Sequence, residues 1–440
     1  MKQYETYKDS RIPSIGTIPN SWRVVPIKYV LEQSANGIKI GPFGSTLTGK
    51  VSPANQVKVY GQWNVIGKDF SAGKNYVSED TYQELESYWI HPNDILISMM
   101  GTVGKCAIIP KGVAKGIMDS HIVKVRLDET IILPQFFYYV YDKDGSNVMI
   151  SQIQRDRRGS IMDGLNSTLI KSFIIPLPPL SEQQDIVSFL DEKVNMIDVA
   201  IAEKEQMLED LKNYRSAIIS EAVTKGLDKN VEMKDSGIEW IGIIPKHWNV
   251  SNIGRLFNIK AGGDAKPEFY SSTKDDVHKY PVYTNTKEAD HVYAFSSYAP
   301  FSGNSITVTG RGDIGHAIFR SNEYDAIIRL LVLQPKIEDI IDSRYFAYFI
   351  DEKIHFFTDS AAVGQLSAIQ ISPYKICFPP IKEQRAISNY LDERIAQIDV
   401  LTKEIDSQIS DLKSYKSALI TEAVTGKIDL RDWKHKEENI

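Results

Sequence analysis

Two runs of this chain are nearly identical. Leu211–Thr224 reads LKNYRSAIISEAVT, and Leu412–Thr425, 201 positions later, reads LKSYKSALITEAVT. A repeat constrains a fold more tightly than composition does, because each copy needs an equivalent environment. At the same offset, PPLSEQQDIVSFLDEKVNMIDV (178–199) matches PPIKEQRAISNYLDERIAQIDV (379–400). A third pair, DSRIPSIGTIPNSWRVVPI (9–27) and DSGIEWIGIIPKHWNVSNI (235–253), lies 226 positions apart. The offset thus falls by 25 along the chain, so the halves share their ends and differ between them. A duplicated frame holds two unlike inserts. With 440 residues the chain is too long for one core and suits two to four domains.

The repeated ends read as long helices. A ladder of alternating three- and four-residue steps from Val187 passes Leu190, Ile197, Ile201, Leu208, Leu211 and Ile218, and nine of its eleven positions are apolar. The second ladder passes Leu391, Ile398, Ile405, Leu412 and Leu419, with eight of eleven apolar. That is a coiled-coil seam sustained for five heptads. Arg215 and Lys416 break the two seams at the same place and are candidates for setting register. Pro178 and Pro179 block extension of the first helix backwards, Ser181 and Gln184 spell a capping box, and Gly226 and Gly426 close the two helices. Lys382 replaces the capping serine in the second copy. From Val187 to Ala222 the rod is ~54 Å long. Its nearest mate is its own copy, so the rods are expected to pair antiparallel as an internal pseudo-two-fold, with one globular segment at each end.

Each insert carries short β-branched and aromatic runs broken by Gly and Pro, followed by an aromatic helix-like stretch, LPQFFYYVYD or DSRYFAYFID. The expected fold is α+β: two mixed α/β domains with two long helices between them. The boundaries are residues 1–177 for the first domain, 178–227 for the first helix, 228–378 for the second domain, 379–426 for the second helix and 427–440 for a C-terminal tail.

Several chemistries are excluded by what is missing. No apolar run approaches the ~20 residues that span a bilayer, the N-terminus has no signal-peptide core, and Cys106 and Cys377 stand apart, which excludes a disulfide framework. A cytoplasmic location is expected. The eight histidines show no metal-ligand spacing. There is no Gly-x-x-x-x-Gly-Lys-Ser/Thr loop, and no Asp/Asn-Pro-Pro-Tyr/Phe tetrad such as an amino-methyltransferase needs. Gly310, Gly312 and Gly315 match a dinucleotide fingerprint, but HAIFRSN follows where a helix should open, so the segment reads as strand–turn–strand. Asp210-x-Lys212 and Asp411-x-Lys413 lie within the repeated helix and read as surface charge. Catalysis has no address, and no cofactor is expected on this chain.

Binding chemistry remains. Net charge is −6 overall, yet residues 1–177 carry +4, so a local basic face is compatible with the total. SQIQRDRRGS gathers Gln152, Gln154, Arg155, Arg157 and Arg158, whose guanidinium forks and amides suit phosphates and base edges. GIKIGPFGSTLTGK offers Lys39, Ser45, Thr46 and Lys50 on a Gly/Pro-stiffened loop able to approach phosphates. VKVYGQWNVIGK adds Lys58, Tyr60, Gln62 and Asn64. The second insert offers Lys266, Tyr270, Lys274, Thr284, Asn285 and Arg311.

The paired motifs IGTIPNSW and IGIIPKHW, PPLSEQ and PPIKEQ, SAIISEAVT and SALITEAVT, together with GPFGS, resemble the DNA-specificity subunit of Type I restriction–modification enzymes over nearly the full length. The resemblance implies that each insert is a target recognition domain reading one half of a bipartite, asymmetric site in double-stranded DNA. It implies that the helices fix the spacer and dock two methyltransferase subunits, with motor-nuclease restriction subunits joining for cleavage. S-adenosylmethionine, Mg and ATP would then belong to those partners. A coiled-coil scaffold whose inserts bind proteins is the alternative reading of the same residues, and an enzyme in its own right is a third.

Overall fold

The repeated motifs become repeated contacts. In the computed structural model, which describes residues 2–34, 37–54, 56–99, 103–142, 145–156, 165–356, 364–431 and 433, the chain divides into two compact units. The first comprises residues 1–204 and 407–440, the second residues 205–406. The division falls inside both long helices, Leu180–Lys225 and Ile381–Val424. Each unit thus contains one globular segment, the first part of one long helix and the last part of the other.

Within the first unit the helices run antiparallel, Asp198 meeting Lys416 at 2.6 Å and Lys204 meeting Gln408 at 2.5 Å. In the second, Arg215 meets Asp399 at 2.8 Å. These two ion pairs are one contact made twice, since Asp198 and Asp399 are repeat equivalents, as are Arg215 and Lys416. The basic residue that interrupts each apolar seam therefore reaches the aspartate of the facing helix, which fixes register where leucine alone would tolerate a slip. The seam residues Leu190, Ile197, Ile201, Ile218, Leu391, Ile398 and Leu419 are buried, and Leu208, Leu211, Ile405 and Leu412 are half-buried.

The helix ends are fastened by the other motifs. In the first unit Trp22 is fully buried and its indole N–H donates to Glu182 at 2.8 Å; in the second, Trp248 donates to Glu383 at 3.1 Å. Gln183 accepts from Leu133 N–H and Gln384 from Asp342 N–H, each at 2.8 Å, tying each aromatic helix (Pro134–Tyr141 and Ser343–Lys353) to a rod. Tyr139 then donates to Asp191 at 2.6 Å and Tyr348 to Asp392 at 2.7 Å. Gly226 and Gly426 close the helices with φ of 74° and 70°, the left-handed conformation that glycine adopts without strain. The capping box is a correction. The first helix begins at Leu180, so Ser181 lies inside its first turn, and Glu182 and Gln183 do the fastening. The start of the tail is packed as well: Ile428 and Leu430 are buried, and Asp429 N–H donates to the Lys2 carbonyl.

The two inserts, unlike in sequence, share one topology. The first unit orders the strands Ile38–Ile40, Ile122–Val125, Ile95–Ser98 and Cys106–Ile108 in an antiparallel sheet. The second repeats it with Phe257–Ala261, Leu331–Pro335, Ser305–Val308 and Ala317–Arg320. A second sheet in each unit, three-stranded in the first and four-stranded in the second, ends on a parallel pair, Val57–Tyr60 with Gly116–Met118, and Tyr280–Tyr283 with Asp325–Ala326. The longer first insert adds the helices Gln62–Gly67 and Glu79–Glu84, where the second has only the strand Ala294–Ser296. The glycine-rich segment is indeed a turn between antiparallel strands, with Gly312 and Gly315 at φ of 69° and 97°.

One buried cation gives the first unit a pH signature. Lys124 lies within the four-stranded sheet and donates to the Trp89 carbonyl at 2.6 Å. Burial pushes its pKa from 10.5 down to about 8. Between those values the unfolded chain holds a proton that the folded chain has lost, so stability rises with pH across that window. Thermal unfolding between pH 8 and 10 should show the first unit gaining stability, and Lys124→Met should flatten the gain.

Candidate nucleic-acid interface

In each unit the strand ends deliver a cluster of loops. In the first, the turn Asp119–His121 is gripped from three strands. Asp119 N–H donates to the Tyr60 carbonyl at 2.9 Å, Met99 N–H to that of His121 at 3.0 Å, and Gly41 N–H to that of Ile122 at 3.0 Å. Asp119 also accepts from His121 N–H at 2.8 Å, closing its own turn. Two glycines let neighbouring loops press against it. A Cβ on Gly41 would lie 1.6 Å from the Asp119 carbonyl oxygen, and one on Gly61 would lie 2.7 Å from Asp119 Oδ2.

The second unit builds the same cluster around Asn285. Its Oδ1 accepts from Gly310 N–H at 2.7 Å and Arg311 N–H at 3.2 Å, while Nδ2 donates to the Ile328 carbonyl at 2.6 Å. One amide thus ties the glycine turn to the turn after the parallel strand. There Ile328 and Arg329 both take left-handed backbone, φ 55° and 63°, which is costly for a β-branched residue. The turn exposes Arg329 beside the Arg311 loop, and Arg311 donates to Gln365 at 2.9 Å. Gly262 sits where Gly41 does, with a would-be Cβ 2.4 Å from the Ala326 carbonyl.

The residues singled out from sequence divide unevenly over this geometry. Ser45 is exposed and Thr46 half-buried in the short helix Gly44–Leu47, next to the Asp119 turn. Lys39 is half-buried, with its Nζ 5.2 Å from the Tyr88 ring, and Lys50 is exposed and paired with Glu84 at 2.9 Å. Gln62 is half-buried at the start of its helix. Lys58, Tyr60 and Asn64 are corrected to internal roles. All three are buried: Lys58 donates to the Ser71 carbonyl, Tyr60 to that of Ala114, and Asn64 to those of Asp69 and Ala72. Gln152 likewise is buried, bonding both ways with the backbone of Ile174. Gln154 and Arg155 lie in the helix Asn147–Asp156, and Arg157 and Arg158 lie outside the described residues.

In the second unit Lys274 and Lys266 are exposed, the latter 5.3 Å from the Tyr298 ring, and Thr284 is half-buried beside Asn285. Tyr270 is engaged by Asp325 at 2.7 Å, and burial raises its pKa. Asn285 is the keystone of its loops and Arg311 an exposed tip. Sequence reasoning missed Arg329, Phe43 and Trp63. Arg329 could have been found by aligning Ile327-Ile328-Arg329 with Asp119-Ser120-His121; both follow the parallel strand. Among the described residues no cluster of His, Cys, Asp and Glu is placed to hold a metal ion, and no helix is long and apolar enough to cross a membrane.

The comparisons with known proteins converge. The family model described as Type I restriction modification DNA specificity domain matches this chain twice, over residues 37–209 and 245–410. The Type I restriction enzyme EcoKI specificity subunit of Escherichia coli is 22% identical, covering 94% of this chain and 91% of its own length. The MjaVIII specificity subunit of Methanocaldococcus jannaschii is 23% identical, with 78% and 81% covered. A solved chain reported under the complex assembly and conformational transition of the type I R-M system superimposes with a TM-score of 0.70 at 16% identity, covering 93% of this chain and 99% of that one.

Proposed function

The chain belongs to the family of Type I restriction–modification DNA-specificity subunits, which read DNA and are not themselves catalytic, and from that premise we propose how its two units divide the work. The Asp119 cluster reads one half of a bipartite site in double-stranded DNA, and the Asn285 cluster reads the other. One observation carries this: the same strand ends deliver loops in both units, tipped with different side chains. Equal scaffolds with unequal tips are what an asymmetric sequence requires, since base identity is read by side chains at groove edges.

The rods keep the readers at a set spacing and dock the partners. Beside the Asp198–Lys416 pair the first unit exposes Val199 and Tyr415; beside Asp399–Arg215 the second exposes Val400 and Tyr214. An apolar pair offered twice, at repeat-equivalent positions, suits two copies of one partner, the methyltransferase subunit. Motor-nuclease subunits complete the complex. S-adenosylmethionine, Mg and ATP act on those partners, inside the cytoplasm where the genomic DNA is.

The test is an exchange. Residues 28–177 are replaced by the corresponding segment of another family member, the chain is assembled with its methyltransferase, and methylated adenines are mapped. One half of the recognised sequence should change while the other stays. A change in both halves, or methylation indifferent to sequence, refutes the division of labour.

A further inference from the structure

Phe43 and Trp63 are aromatic rings left in water, 85% and 86% exposed. Neither is needed for packing where it stands. In the turn after Phe43 the buried apolar side chain is Leu47, and in the helix that carries Trp63 the buried side chains are Asn64 and Val65. Both rings nevertheless stand on firm ground. Phe43 follows Gly41 by two residues and Trp63 follows Gly61 by two, so each leaves the backbone within about 7 Å of a glycine that abuts Asp119. Asp119 is in turn held by the three strand ends described above. Two large apolar faces therefore rise from one rigid patch, flanked by the polar side chains of Ser45, Ser120 and His121.

We infer that Phe43 and Trp63 stack against bases of the first half-site, as wedges at a base step that the polar rim then reads. Apolar side chains entering between base pairs unstack and kink a duplex, and every base offers a flat face to an aromatic ring. Among the described residues the second unit has no aromatic at the matching positions; exposed rings such as Phe269 and Tyr293 lie elsewhere. After Gly262 and Gly263 come Asp264 and Ala265, after Tyr283 come Thr284 and Asn285, and the exposed tips are the guanidinium groups of Arg311 and Arg329. Those are forks for guanine edges and phosphates. One half-site is thus opened by rings and the other read by charged hydrogen bonds. The inference rests on the DNA-reading role proposed above.

The experiment uses the chain assembled with its methyltransferase and duplexes carrying the mapped site, with 2-aminopurine placed in the first half. Phe43→Ala with Trp63→Ala should lower affinity at least tenfold and abolish the rise in 2-aminopurine emission on binding, whereas Trp63→Phe alone should keep most of both. The slope of log affinity against log salt should stay unchanged, because no phosphate contact is lost. A duplex with its first half scrambled should bind wild type and double variant alike. Unchanged affinity, an equal loss on the scrambled duplex, a shallower salt slope, or a variant that folds but no longer assembles with the methyltransferase would each overturn the stacking role. If the wild-type complex itself bound cognate and scrambled duplexes equally, the DNA-reading proposal would fall, and this one with it.

Discussion

Replacing Trp22 by alanine is expected to cost the first unit about 5 kcal/mol, through two losses at one place. Truncating a buried tryptophan costs roughly 3–5 kcal/mol in transfer and cavity energy, and Trp22 is fully buried, with the Tyr4 ring 5.9 Å away. Removing the indole N–H also withdraws a donor at 2.8 Å from Glu182, a carboxylate nearly out of solvent, and leaving a buried acceptor short costs roughly 1–3 kcal/mol more. Tyr4 still donates to Glu182 at 2.8 Å, which moderates the second loss. Because domains are stable by only about 5–15 kcal/mol, at least about a third of the margin disappears. Hydrogen exchange resolved by peptide should show protection lost around residues 17–27, 174–190 and 419–430. Protection around Trp248 should persist, since the second unit has its own indole–Glu383 bond. Trp22→Phe separates the terms, keeping most of the volume and losing only the donor. A uniform loss over both units, or a cost below about 1 kcal/mol for the alanine, would show that the indole–glutamate bond is not what anchors the rod.

The parts of the fold legible in the sequence are those the chain states twice. Trp22 and Trp248, Glu182 and Glu383, Gln183 and Gln384, and the Asp198/Asp399 and Arg215/Lys416 sets each make the same contact in both units. A contact needed twice leaves two copies of its residues, so the repeat marks these stretches as structural. Only Arg215 and Lys416 stand out in the sequence as setting register; the partners of the rest come from the structure. The inserts escaped for a physical reason. Their strands are two to five residues long, and several, such as Val57–Tyr60 and Ile95–Ser98, are buried at every position. A strand covered on both faces has no polar–apolar alternation to read.

The candidate site was harder still, because composition misleads in both directions. Lys58 and Asn64 are polar and look like readers, yet each is consumed by backbone carbonyls inside the domain. Phe43 and Trp63 are apolar and look like core, yet stand in solvent. Burial is a tertiary property, and a window of sequence does not contain it. The positive φ of Ile328 is likewise invisible locally; it occurs in a turn whose carbonyl is held by the amide of Asn285, 43 residues away.

Gly41→Ala should disable the first cluster without touching the second. A methyl group at Gly41 would fall 1.6 Å from the Asp119 carbonyl oxygen, 2.5 Å from its carbon and 3.1 Å from Ser120 Cα. All three are backbone atoms of a turn held from three sides, so no rotamer change relieves the clash. Either the loop after Ile38–Ile40 or the Asp119 turn must move by an ångström or more, breaking the Gly41–Ile122 bond. Overpacking of this kind costs typically 1–3 kcal/mol, occasionally more, and we expect about 3 kcal/mol in thermal unfolding of the first unit. The functional loss follows from displacement of Phe43 and Ser45, two and four residues on. Affinity for an intact first half-site should fall at least tenfold, about 1.4 kcal/mol, while discrimination at the second half is kept. Gly262→Ala, whose Cβ would stand 2.4 Å from a carbonyl oxygen, should be milder and should impair the opposite half-site. Gly67→Ala, with nothing within 4 Å, should be neutral or slightly stabilising at the end of its helix. That order of effects, Gly41 above Gly262 above Gly67, follows from the spacing of the loops alone. Equal tolerance at Gly41 and Gly67 would mean that Asp119 does not press on the loop, and the rigid platform beneath Phe43 and Trp63 would be gone.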